Sequence, residues 1–149
     1  MLNSTLIELY TRDLNKLKTE INAYPDDSSL WLIKDGISNS GGNLALHLCG
    51  NLLHFFGAVL NNSGYVRKRD EEFSTKGLSK AELTAQIDVV LKEVIATLVK
   101  QTDDEMEKLY PLEVFGEPIT TGHFLIHLST HLNYHLGQIN YHKRLLNNQ

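Results

Sequence analysis

The 149 residues make one ordinary domain, and with 42% hydrophobic and 21% charged residues the chain can bury a core of its own. Its formal charge of -4 argues against nucleic acid as a partner, because duplex binding needs a concentrated cationic surface. A single cysteine, Cys49, excludes an intrachain disulfide and fits a reducing compartment.

The first stretch, MLNSTLIELYTRDLNKLK, is amphipathic and lacks the basic flank and apolar run of a signal peptide. Leu6, Tyr10, Leu14, Leu17, Ile21 and Tyr24 recur at steps of four and three, which is one stripe of a helix. Pro25 ends it, since the residue before a proline is driven out of the helical region. The connector DDSSLWLIKDGISNSGG is rich in turn formers, with Trp31 as its anchor to the core. A second helix is expected from near Ser40 to about Leu60, apolar on most sides and therefore buried. NNSGYVRKRDEEFSTKG then reads as a long loop, long enough to suggest function. Its basic run passes directly into acids and reads as a solvated segment, not a phosphate-binding stripe.

Ser79 and Glu82 form a capping box, opening a third helix whose stripe is Leu83, Ile87, Val90, Val94 and Leu98. After the irregular DDEMEKLYPLEVFGEP, the last helix begins with Thr120 or Thr121 as N-cap and runs to about Leu146. No run approaches the roughly 20 apolar residues of a membrane span, so the expectation is a soluble, cytoplasmic protein without a membrane partner. The elements imply an all-α fold, a four-helix bundle occupying residues 1–149 as a single domain. Two links are longer than bundle connections usually are, so an up-down-up-down order need not hold.

Five of the seven histidines lie in HFLIHLSTHLNYHLGQINYH, residues 123–142. Phe124, Leu128, His131, His135, Gln138 and His142 share one face of the last helix, and its first two members are apolar, so it points inward. His131 and His135, one turn apart, can aim both rings at one point, the usual helical way to supply two metal ligands. Leu132 follows His131 where a metalloprotease helix carries Glu, which argues against that chemistry. A third ligand is needed for a catalytic zinc-type site. The second helix offers His47 and His54; His47 lies in its apolar centre and His54 nearer the loop. Two neutral imidazoles buried together each need a partner, and two charged ones repel; a shared cation resolves both. His54, His123, His127 and His142, taken singly, read as surface or hydrogen-bonded core residues. Gln138 and Asn51 are candidate partners behind the ligands, able to fix a ring tautomer, or equally ordinary hydrogen bonds between helices. Gly50 and Gly137 permit close helix approach, and Cys49 reads as core.

HLNYHLGQI, residues 131–139, resembles the last-helix signature of the DinB-like superfamily. NLALHLCGNL resembles that superfamily's second-helix motif with its single histidine, and RKRDEEF is similar to the loop that follows that helix in one branch. The resemblance covers the whole chain. It implies a bundle with a long crossover, usually a homodimer, holding a divalent metal (nickel, zinc or iron) on His47, His131 and His135. Relatives with known activity include thiol S-transferases that use bacillithiol and mycothiol-dependent isomerases.

The first functional expectation is therefore a metal-dependent thiol S-transferase acting on a small molecule, possibly with a low-molecular-weight thiol. An open coordination position would bind a thiol, lower its pKa and present it to an electrophile. Arg67, Arg69 and Glu72 would orient an anionic cosubstrate, or would pin the loop through salt bridges. The alternatives are a non-catalytic protein binding metal or a small ligand, a structural bundle with a polar histidine core, and a metal-dependent hydrolase. The hydrolase ranks below the transferase because Glu20, Glu82 and Glu93 read as solvent-facing or ambiguous, leaving no obvious inner carboxylate base.

Overall fold

The computed structural model describes residues 1–146, and among these the chain is helical, with one isolated bridge between Leu109 and Thr120. Helix α1 spans Leu2–Asn22 and buries every member of its expected stripe. A 3-10 turn, Ser28–Trp31, follows. Trp31 is the anchor of the connector: its Nε1–H donates to Leu78 O at 3.0 Å, and its ring lies so close to Gly42 that a Cβ there would sit 2.6 Å away. Helix α2 is Gly41–Leu52, capped by Ser40 Oγ, which accepts from the Asn43 amide.

From Leu53 to Leu60 the same helix continues with π geometry. The wider turn releases backbone carbonyls, and Tyr110 takes one of them, donating its hydroxyl to Phe55 O at 2.8 Å. All of α2 is buried. The continuous stretch Gly41–Leu60 is, against the sequence expectation, long and apolar enough to cross a bilayer by length and composition. A core helix meets the same criterion because it packs on several sides at once and carries apolar residues all round; 67% of its apolar window is buried in the bundle.

The expected long loop holds a short helix, α3, Arg69–Ser74, lying along α2. Helix α4, Lys80–Leu98, opens with the full Ser79–Glu82 capping box and buries its whole stripe. A second unforeseen helix, α5, Asp103–Glu107, is capped by Thr102. Helix α6 is Thr121–Leu146; Thr120 is its N-cap, accepting from the His123 amide at 3.2 Å.

Helices α1 and α2 are diagonal partners, each packed against α4 and α6. Tyr10 donates to Leu125 O and Tyr24 reaches Ile139 O, so α1 and α6 run parallel. Gly41 lies beside His142 and His47 beside His131, so α2 runs the other way. Lys80, at the start of α4, bonds Tyr24 O at the end of α1, and Thr97 near the end of α4 meets Phe56, so α4 runs with α2. The order is up-down-down-up. Because α2 and α4 point the same way, their link must return the length of α2, and that return carries α3 past the centre of the bundle.

The parallel α1–α6 seam holds two buried carboxylates. Asp13 is paired with Arg12 and Asn133. Glu20, expected to face solvent or be ambiguous, is 2% exposed and is held by Asn140 and Lys143.

Candidate metal centre

Helical periodicity puts His131 and His135 on one inward face of α6, and the antiparallel run of α2 brings His47 opposite them. Nε2 of His131 is 3.3 Å from Nε2 of His47 and 3.1 Å from Nε2 of His135. The three ligand atoms all lie within 4.8 Å of one another. Zinc–imidazole bonds of about 2.0–2.1 Å in tetrahedral geometry separate ligand nitrogens by roughly 3.3 Å.

The other ring nitrogens decide where the protons are. His47 Nδ1–H donates to Glu72 Oε1 at 3.0 Å, and Glu72 in turn receives Arg67 through Nε and Nη2, both at 2.9 Å. His135 Nδ1–H donates to Gln138 Oε1 at 2.7 Å. In the neutral rings this leaves Nε2 of His47 and of His135 as bare lone pairs, both aimed at His131 Nε2. One imidazole proton on His131 can satisfy one of those lone pairs but never both. A single cation satisfies all three nitrogens, so the residues present fit a divalent metal.

Electrostatics agree. Burial, with the neighbouring His135 and His47 rings, pushes the His131 pKa down to about 4, and burial also lowers that of His135. Neutral imidazole is the metal-binding form. Burial alone would raise the Glu72 pKa, but the hydrogen bonds from His47 and Arg67 outweigh it and hold the carboxylate ionised. A carboxylate behind a ligating histidine fixes the ring's tautomer and orientation.

The chain matches, over residues 4–149, a family described as protein of unknown function DUF1572. It belongs to that family. No curated protein matches it.

In this DUF1572 chain the remaining candidates divide. Gln138 meets His135 directly. Among the described residues, Asn51 Oδ1 and His131 Nδ1 are buried without a hydrogen-bond partner, so Asn51 Oδ1 fixes no ring. Glu72 and Arg67, grouped in the sequence as possible substrate contacts, are engaged with each other and with His47. Arg69 is exposed and lies over the Phe73 ring at 5.2 Å. His54 lies outside the cluster, half-buried on the π segment, and His123 is exposed. His127 packs edge-on to Phe115. His142 is a core residue: Nε2–H donates to Leu32 O at 2.9 Å, which leaves Nδ1 to accept from the Tyr24 hydroxyl at 2.7 Å. Burial pushes the Cys49 thiol up to about 12, with Glu72 adding to the shift, so Cys49 is not a nucleophile at neutral pH.

Sequence reasoning missed Glu72 as the partner of His47. The two are 25 positions apart, and no spacing rule connects them. The usable signal was Gly50, on the helix that carries His47, because a glycine in a buried helix marks close approach by something else.

Proposed function

We propose that this chain is a DinB-like protein that binds one divalent cation through Nε2 of His47, His131 and His135 and uses it as a metal-dependent enzyme of the thiol S-transferase type. The observation that carries the reading is the convergence of three Nε2 atoms, two of them committed as lone pairs by Glu72 and Gln138. The motifs HLNYHLGQI, NLALHLCGNL and RKRDEEF support the DinB-like assignment. The ion is nickel, zinc or iron, all compatible with three imidazoles. A cytoplasmic homodimer is part of the same reading.

When bound, the cation supplies positive charge that lowers the pKa of a coordinating thiol and favours thiolate attack on an electrophile. The protein's own part is orientation. Glu72, braced by Arg67, holds the His47 ring; Gln138 holds that of His135. Three neutral ligands leave the ion's charge undiminished, which suits thiol activation. A cavity of about 520 Å³ bordered by His135 and Gln138 favours catalysis over a closed, non-catalytic site. Glu72, the carboxylate that contacts the triad, is committed to Arg67, so it is not poised as a hydrolytic base.

The test is metal analysis of protein purified without a histidine tag, followed by assay with cellular thiols and a chromogenic electrophile. Near-stoichiometric metal that disappears in His131→Ala supports the centre. No rate above that of free metal with any thiol overturns the transferase reading.

A further inference from the structure

The metal reading says what the triad holds but not what approaches it. His47 is closed off behind by Glu72 and by the Phe73 ring, 4.9 Å away between centroids. His131 turns a buried Nδ1 to the protein. His135 differs, because it and Gln138 border the 520 Å³ cavity between α6 and the α1–α2 connector. That volume is in the range of small-molecule sites.

The cavity's chemistry is specific. Tyr134 and Tyr141 line it from α6, with Leu44, Leu145 and Ile37 as apolar wall. Among the described lining residues there is no Asp, Glu, Lys or Arg. His142, which also borders it, has both ring nitrogens engaged internally. Arg67 and Arg69, the cations the sequence offered to an anionic cosubstrate, are not among the lining residues. Arg144, which is not among the lining residues, lies against the Tyr141 ring at 5.3 Å. Gln138 spends Oε1 on His135 and keeps its Nε2–H donors for a ligand. A carboxylate entering here would meet no cationic side chain in the lining, whereas a neutral carbonyl would find a donor.

We propose that this cavity takes an uncharged, amphipathic organic molecule carrying a hydrogen-bond acceptor, and delivers it to the triad from the His135 side. The inference rests on the proposed metal site for its catalytic meaning, but the selectivity belongs to the cavity. A wall of apolar and aromatic groups with amide and hydroxyl donors (Gln138, Asn39, Ser38) and no Asp, Glu, Lys or Arg among the described lining residues selects by charge as well as shape.

The experiment uses two probes of nearly equal shape, 2-naphthamide and 2-naphthoate, titrated into the full-length protein, metal-loaded and chelated, and followed by amide-resolved NMR. The expected result in the chelated protein, where the lining alone sets the charge, is at least tenfold tighter binding of the amide, with shifts centred on Tyr134, Gln138 and Tyr141. Leu145→Lys, which adds a cation to the wall, should reverse the preference. Equal or tighter binding of the carboxylate by the chelated natural sequence, shifts elsewhere, or no binding of either probe at millimolar concentration overturns the proposal. So does sedimentation showing a dimer that Leu145→Lys dissociates, since a second copy then covers the wall. Bound metal is measured on the same samples. Protein that takes up no metal on loading yet selects the amide retires the metal reading alone; protein that takes up metal but, once chelated, does not select the amide retires this inference alone.

Discussion

Gly50 and Glu72 compete for one space: a Cβ on Gly50 would lie 1.9 Å from Glu72 Oε2 and 2.5 Å from its Cδ. The carboxylate can stand behind His47 because α2 has no side chain there. Gly50→Ala should therefore push Glu72 off His47. Loss of such a bracing carboxylate typically lowers metal affinity about 10- to 100-fold. Overpacking costs about 1–3 kcal/mol, partly offset by about 1 kcal/mol from replacing a helical glycine. Chelator competition and urea unfolding measure both effects. If the mechanism is right, adding Gly50→Ala to Glu72→Ala should cost little further affinity, since the two act on one contact. Unchanged affinity in Gly50→Ala alone would show that Glu72 does not hold His47.

His131 stands between its two partners, so His131→Ala should abolish binding more completely than His135→Ala. A ligand at a hundred times its Kd stabilises the folded state by about 2.7 kcal/mol. For a domain of this size that corresponds to roughly 5–10 °C in Tm. Chelation should lower the Tm of the natural protein by that order and leave the Tm of His131→Ala unmoved. Calorimetry with and without chelator decides it; a chelator-sensitive variant would mean that another residue supplies the ligand.

What the sequence made legible was whatever repeats at 3.6. The stripes on α1 and α4 are buried residue for residue, and the same arithmetic placed His131 and His135 on one face and singled out His47. Short and non-periodic features were not legible. A six-residue helix such as α3 has no second turn to establish a stripe, so Arg69–Ser74 read as loop. The π segment differs from an α-helix by backbone spacing and not by residue type. Glu20 sits at a stripe position, three residues after Leu17 and four before Tyr24, yet its charge argues for solvent. Its burial depends on Asn140 and Lys143, supplied by a helix whose parallel course no local pattern reveals. Glu72 reached His47 only through the topology, because the up-down-down-up order sends the crossover back along α2.

His142 gives a pH signature independent of the metal. Burial lowers its pKa, partly countered by the hydrogen bond to Leu32 O. The folded chain therefore refuses a proton that the unfolded chain accepts below the ordinary histidine value of about 6.5. Its contribution to stability is complete above that value and is lost as pH falls through the depressed one. In His142→Gln, stability at pH 7.5 should drop by about 1–3 kcal/mol, because Tyr24 and Leu32 lose their partner. The slope of stability against pH below about 6.5 should also become shallower. It will not vanish, since His131 and His135 are shifted in the same direction. Urea midpoints of chelated protein between pH 7.5 and 5 test this. A variant with an unchanged slope would mean that His142 is already protonated in the folded state.

Arg67 and Arg69 are two positions apart in the sequence and should behave as unrelated residues. Arg67 makes two hydrogen bonds to a carboxylate 7% exposed, from a side chain that is itself 14% exposed. Removing it takes from the buried Glu72 carboxylate the cation that pairs with it, and breaking a buried pair in this way costs about 3–5 kcal/mol. The carboxylate also loses the brace that holds it behind His47. Arg67→Ala should thus lose both stability and metal affinity. Arg69 lies over the face of Phe73 and is exposed. Arg69→Ala should change stability by no more than about 0.5 kcal/mol and leave metal binding alone. Parallel chelator titrations and urea unfolding separate the two. Equal effects would mean that the arginines act as a shared cationic patch; a silent Arg67→Ala would mean that the carboxylate needs no counterion to keep the ring in place.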